Sequence, residues 1–170
     1  ATVWDDAVVE VRQRNKYWIA SNLGEWMHSY FLHDAALVLD NTGNPIYEFV
    51  AEPSASVSGA NIAKIAAPLI YKLQKRLAAG EISAGTTILS IGESDLLDLN
   101  GRAAIFSLKP IISDSGEIEQ EPGAENLHLA VRYLDGVLLS GLAQDYQFQE
   151  ISFVRKPTGG ADNSSVALRS

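Results

Sequence analysis

The stretch from His33 to Val50, HDAALVLDNTGNPIYEFV, constrains the fold of this chain more than any other. Ala35 to Leu39 form a continuous apolar run of a length suited to a strand rather than a helix. Asp40-Asn41-Thr42-Gly43-Asn44 then supplies turn chemistry, with Asx side chains able to bond their own backbone and a glycine free to take positive φ. Pro45 closes the turn, and Ile46 to Val50 make a second β-branched and aromatic run. Two strands across a five-residue loop predict a hairpin, the first pair of a sheet.

A helical segment precedes the hairpin. Thr2-Val3-Trp4-Asp5 has the form of a capping box, after which Trp4, Ala7, Val8 and Val11 fall on one helical face. Asn15 is placed to restart the helix, so that KYWIASNLGEWMHSYF reads as one or two further pieces with a bend near Gly24. All three tryptophans lie before residue 27, and a tryptophan cluster on a helix is expected to be core more often than a ligand cage. After the hairpin, Ile62, Ile65, Ala66, Leu69, Ile70, Leu73 and Leu77 recur at helical spacing. Pro68 predicts a kink or a join of two helices there, and Lys75, Arg76 and Gly80 supply a stop.

Asp95–Leu99, Asn100-Gly101 and Arg102–Ile112 read as a second hairpin, because Asn-Gly favours the type I′ turn. Pro110 places the longer strand at an edge or a bulge. A short strand within TTILSIG (86–92) is left open. SDSGEIEQEPGAEN (113–126) carries five acids and no base, and is expected to be an exposed, solvated loop. Leu127 to Leu134 alternate as a half-buried strand, Asp135 caps a short helix through Leu142, and Phe148–Val154 give a last strand. Val166-Ala167-Leu168 have the composition to open one more. Hairpins dominate this order, so the fold class is α+β: a mostly antiparallel sheet with helices on one side, an N-terminal helical segment and a second amphipathic helix. The chain reads as a single domain over 1–170, with a helical segment at 1–33, a sheet core at 34–154 and a tail, or the start of a further strand, at 155–170.

The 170 residues, 46% hydrophobic and 20% charged, provide for one ordinary globular core. A net charge of −8 argues against nucleic acid as a partner, since phosphate binding needs a basic footprint. With no cysteine there are no disulfides, thiol catalysts or zinc–thiolate sites. Ala1 falls inside a helical pattern, which suggests a piece of something longer. No nucleophile elbow, phosphate loop or paired-histidine metal motif is present, so the reading is of a non-enzyme without catalytic residues, metal or cofactor. His28 and His33, five residues apart, do not share a helical face; with Asp34 they are better read as a hydrogen-bonded helix end than as metal ligands. Asp5 and Asp6 as an acid–base pair lose to the simpler reading that they complement a helix N-terminus.

A binding pocket is what remains. Arg102, Lys109 and Arg132 are cations on predicted strands, where a buried charge needs a partner. Tyr47, Phe49 and Tyr133 are aromatic groups on neighbouring strands, and Trp26 joins them as a candidate ligand contact. The competing reading is that the cations reach solvent or pair with surface acids.

Several pieces together resemble the fourth class of CHASE domains, the cyclase- and histidine-kinase-associated sensory domains found outside the membrane. They are Trp4-Asp5-Asp6, then YWIASNLGEWMHSYFLHDAALVLDNTGNPIYEF, then SDLLDLNGRAAIFSLKPII, then LAVRYLDGVLLSGLAQDYQF. The resemblance runs from about Val3 to Val154. It implies a PAS- or Cache-like sheet behind a long N-terminal helix, and a periplasmic position on a parent protein anchored by transmembrane helices. It also implies control of a cytoplasmic cyclic-di-GMP cyclase or phosphodiesterase, or of a kinase. Trp4 and Asp5 are carried over as motif positions of the signalling helix. If that helix continues upstream, Asp5 loses its capping role and is expected to find a partner such as a sheet cation. The leading expectation is therefore a periplasmic sensor of an unknown small molecule. Its rival is a ligand-free module that forms a homodimer or binds a partner protein.

Overall fold

The computed structural model describes residues 5–54, 56–81, 91–135, 138, 139, 144, 150–155 and 164–169. The first helix, α1 (Asp5–Arg12), buries Ala7, Val8 and Val11. It ends in a Schellman arrangement: Arg14 N–H donates to the Val11 carbonyl, Asn15 N–H donates to the Glu10 carbonyl, and Arg14 stands at φ +54°. Asn15 then caps α2 (Lys16–Ile19), its side chain accepting from Trp18 N–H. A π-helical turn (Ala20–Glu25) leads directly into α3 (Trp26–Phe31). The expected long N-terminal helix is thus corrected to two helical pieces, because the chain reverses at Arg14 before Asn15 restarts it. The bend expected near Gly24 takes the form of the π turn. Thr2 and the capping box lie outside the described residues.

Strands β1 (Ala35–Leu39), β2 (Pro45–Val50), β3 (Glu93–Leu99), β4 (Arg102–Pro110) and β5 (Leu127–Tyr133) form one antiparallel sheet in the order β2-β1-β5-β4-β3. The first hairpin closes through Asp40, whose Oδ1 accepts from Thr42 N–H and Asn44 N–H, both at 2.9 Å. The second closes through Asn100 (φ +56°) and Gly101 (φ +80°), two successive left-handed residues as a type I′ turn requires. The longer strand of that hairpin, β4, lies inside the sheet rather than at its edge. Pro110 is tolerated there because β3 ends opposite Leu108, so the proline pairs only with Leu127.

The sheet is covered on both faces, which corrects the expectation of helices on one side. On one face Ala35, Leu37, Leu39, Leu127, Leu129 and Val131 pack with α4 (Gly59–Ile65) and α5 (Ala67–Ala78) through Ile62, Leu69, Leu73 and Leu77. On the other face Val38 packs with α1, α2 and the π turn through Val8, Val11, Ile19 and Leu23. Strand β5, expected to be half-buried, is therefore buried on both faces, with His128 only 4% exposed. The helix break expected at Pro68 is realised at Ala66, with the proline in the first turn of α5 where it needs no N–H partner. Arg76 of α5 forks between Glu81 and Glu93, and Lys72 reaches Glu93 at 2.6 Å, so one nearly buried carboxylate on β3 ties that helix to the sheet.

The acidic loop is not wholly solvated. Ile118 packs against the α1 layer, Arg12 donates to the Glu119 carbonyl, and Glu125 is buried with one oxygen accepting from Gly123 N–H. Asp135 does cap the segment that follows, accepting from Leu138 N–H at 3.1 Å; most of the short helix expected there, and most of TTILSIG, lie outside the described residues. Strand β6 (Glu150–Arg155) pairs with β7 (Ser164–Arg169) in a separate two-stranded sheet, with Phe153 opposite Val166.

Candidate functional site

Among the described residues is a cleft of about 270 Å³ lined by Asp6, Trp18, Asn22 and Trp26. It lies where α1 faces the second helical segment. Trp18, Asn22 and Trp26 recur every four residues, a spacing that puts them on one side of the helix. Asn22 is fixed there by donating to the Trp18 carbonyl at 2.8 Å. Trp18 packs in part against the α1 core, whereas Trp26 is 37% exposed. The tryptophans are thus divided: Trp18 serves packing, and Trp26 presents its ring to solvent beside Tyr30 and Phe31, with ring centroids 5.1 and 5.2 Å away. Asp6 contributes a carboxylate that makes no hydrogen bond or ion pair with any described residue.

Asp5, its neighbour, is occupied. Its two oxygens accept from the hydroxyls of Ser113 and Ser115, and those bonds hold its carboxyl below the usual range. Its partners are two serines of the acidic loop rather than the sheet cation expected. Trp4 lies outside the described residues.

The π turn beneath this segment is held from the sheet. The buried His128 ring approaches the Leu23 carbonyl at 3.2 Å through Nε2, a donor in the neutral tautomer that fits this contact. Burial drives the His128 pKa down to about 4. The Tyr47 ring closes over Gly24 so tightly that a Cβ there would lie 2.5 Å from its hydroxyl oxygen. His28 donates through Nδ1–H to the His33 carbonyl at 2.8 Å, and its ring stands 5.2 Å from Phe49.

The sheet separates the side chains expected to converge. Trp26, Tyr47 and Phe49 belong to the side covered by the N-terminal helices. Tyr133 belongs to the opposite face, and the Arg102 guanidinium stacks 3.5 Å from its ring centroid, with Glu52 and Asp135 each 3.9 Å away. Asp34 joins this second cluster by accepting from Tyr133 N–H at 2.7 Å. The gap among Asp34, Val50, Glu52, Leu99 and Tyr133 holds about 10 Å³, barely the room of one water. Lys109 lies opposite His128, its alkyl stem against Gly92; Arg132 lies opposite Ile105, and the His33 imidazole pKa is lowered by burial first and by the Arg132 charge second. Of the expected ligand contacts, only Trp26 lines the large cleft. The signal for its neighbours was present in the four-residue spacing Trp18-Asn22-Trp26, while Asp6 comes from another helix and has no such signature.

The family model for the CHASE4 domain matches residues 1–154. The chain belongs to the CHASE4 family. CHASE4 domains are extracellular sensory domains of signalling proteins, and the family is sensory rather than catalytic. No curated protein matches the chain. Within this CHASE4 domain, no helix among the described residues is long and apolar enough to cross a membrane, and no three His, Asp or Glu side chains among them gather as a metal site.

Proposed function

We propose that this CHASE4 domain is the periplasmic signal-input module of a bacterial transmembrane protein, and that it binds a small molecule in the cleft between α1 and the second helical segment. Its output would be a cytoplasmic cyclic-di-GMP cyclase or phosphodiesterase, or a histidine kinase. The observation that carries this reading is the cleft itself: a carboxylate without a partner among the described residues faces aromatic and amide groups from another helix, across a seam of about 270 Å³. Occupancy can be relayed only if a ligand binds two arrangements of its walls differently. The walls belong to separate helices joined by the Arg14 reversal, so a ligand that draws them together changes the setting of α1 on the sheet. Thermal melting and tryptophan emission against a panel of small acids, amines and amino acids test the binding step. A saturating ligand at a hundred times its Kd stabilises the fold by about 2.7 kcal/mol. A concentration-dependent rise in Tm for at least one compound is expected; indifference to the whole panel contradicts the reading.

A second reading, a module that dimerises or binds a partner protein, is favoured by the aromatic side chains left exposed along the same helices. Tyr17 and Tyr30 are 89% and 71% exposed, beside Phe31 and Leu32. Sedimentation across a wide concentration range separates the two: self-association lost on Tyr30→Ser and Phe31→Ser supports the second reading, and a monomer throughout removes its homodimer form.

A further inference from the structure

Resting on the reading that the cleft takes a ligand, we infer that its ligand is a small organic cation bearing a quaternary or protonated amine. The inference comes from the groups that Asp6, Trp18, Asn22 and Trp26 bring together. Asp6 is exposed and has no partner among the described residues, so its negative charge is available to a ligand. Two indoles add the electron-rich faces that attract cations most strongly among aromatic side chains. One Asn22 amide N–H is committed to the Trp18 carbonyl, leaving the second N–H as a donor and the side-chain oxygen as an acceptor. None of these four lining residues carries a positive charge.

That inventory discriminates among ligands. An anion would meet the Asp6 carboxylate with no positive charge among these four residues to offset it. A neutral sugar can stack on tryptophan, but it leaves the Asp6 charge without a counter-charge. An ammonium group suits every element present: carboxylate, amide oxygen and two rings. The net charge of −8 raises the local concentration of cations around the domain.

Calorimetric titration of the 170-residue chain with choline, tetramethylammonium and putrescine, each against matched sodium chloride, tests the assignment. Choline's neutral carbon isostere, 3,3-dimethylbutan-1-ol, is the control for shape and hydrophobicity. Saturable binding of at least one cation is expected, weakened about tenfold or more by Asp6→Asn and by Trp26→Phe→Ala in graded order (Trp26→Phe less than Trp26→Ala), with no saturable binding of the isostere. Both positions are exposed, and far-UV circular dichroism checks that the variants are folded. Equal binding of the isostere, binding indifferent to both variants, or no binding of any of the three cations overturns the inference. An acid or a neutral compound from the wider panel that binds wild type and fails on Trp26→Ala overturns the cation while preserving the ligand-binding cleft, so the two failures are distinguishable.

Discussion

His128 occupies a position that strand alternation assigns to solvent, since Leu127 and Leu129 on either side of it take the core-facing positions. A second helical layer covers that face, and nothing in the alternation of β5 itself announces it. The buried imidazole titrates near 4 against 6.5 for the free group. Between those values the unfolded chain binds the proton that the folded chain refuses, so stability that is full above pH 6.5 is lost as the pH falls toward 4. The shift corresponds to a loss of up to about 3 kcal/mol. Urea denaturation of wild type and His128→Gln from about pH 7.5 to about pH 4.5 is expected to show a shallower slope in the variant, which keeps an N–H donor for the Leu23 carbonyl. Asp5 has the opposite sense. Its folded pKa is depressed by Ser113 and Ser115, so the stability it contributes is present above 3.8 and lost as the pH falls through its lower, folded value. Asp5→Ala is expected to lower Tm at neutral pH, with the difference from wild type closing in strong acid. A carboxylate at a helix start was legible in Trp4-Asp5-Asp6; that one aspartate would be taken by two hydroxyls more than a hundred residues later was not.

The elements were largely readable, because their signals are local. Asp40 to Pro45, Asn100-Gly101, Asn15 and Pro68 each act on their own backbone, and each does in the structure what its chemistry requires. The long N-terminal helix failed on a reversal at Arg14, a residue with no preference for left-handed φ that the two Schellman bonds hold there. The π turn is likewise settled by tertiary contact, with Gly24 packed under Tyr47 and Leu23 met by His128. Gly24→Ala is expected to cost about 1–3 kcal/mol, and adding Tyr47→Phe should restore part of that by removing the hydroxyl oxygen nearest the new methyl. A double-mutant cycle in urea checks the coupling. On the opposite face, Glu93 is the shared anion of Lys72 and Arg76, whereas Glu81 is a mostly exposed partner of Arg76 alone. Glu93→Ala should therefore lower Tm more than Glu81→Ala, since it leaves two cations without their common partner at the joint between α5 and β3.

As a whole, this CHASE4 domain is an antiparallel sheet between two helical layers, and the layers have different characters. The α4–α5 layer has a core continuous from Leu37 to Leu77, and the gap beside Tyr133 holds about 10 Å³. The N-terminal layer opens to solvent at the seam bounded by Asp6, Trp18, Asn22 and Trp26. Sequence reasoning put the receptacle among strand side chains because cations on strands call for partners. Arg102 found one in the Tyr133 ring, and the sheet keeps that pair apart from Tyr47 and Phe49. Which faces of a sheet are covered depends on the path of every connection, and no single segment encodes it. Amide hydrogen exchange, with and without whichever panel compound raises Tm most, locates ligand binding in the folded chain. Added protection is expected to concentrate in Asp5–Arg12 and Lys16–Phe31; protection confined to α4, α5 and β3 would overturn the N-terminal cleft as the ligand site.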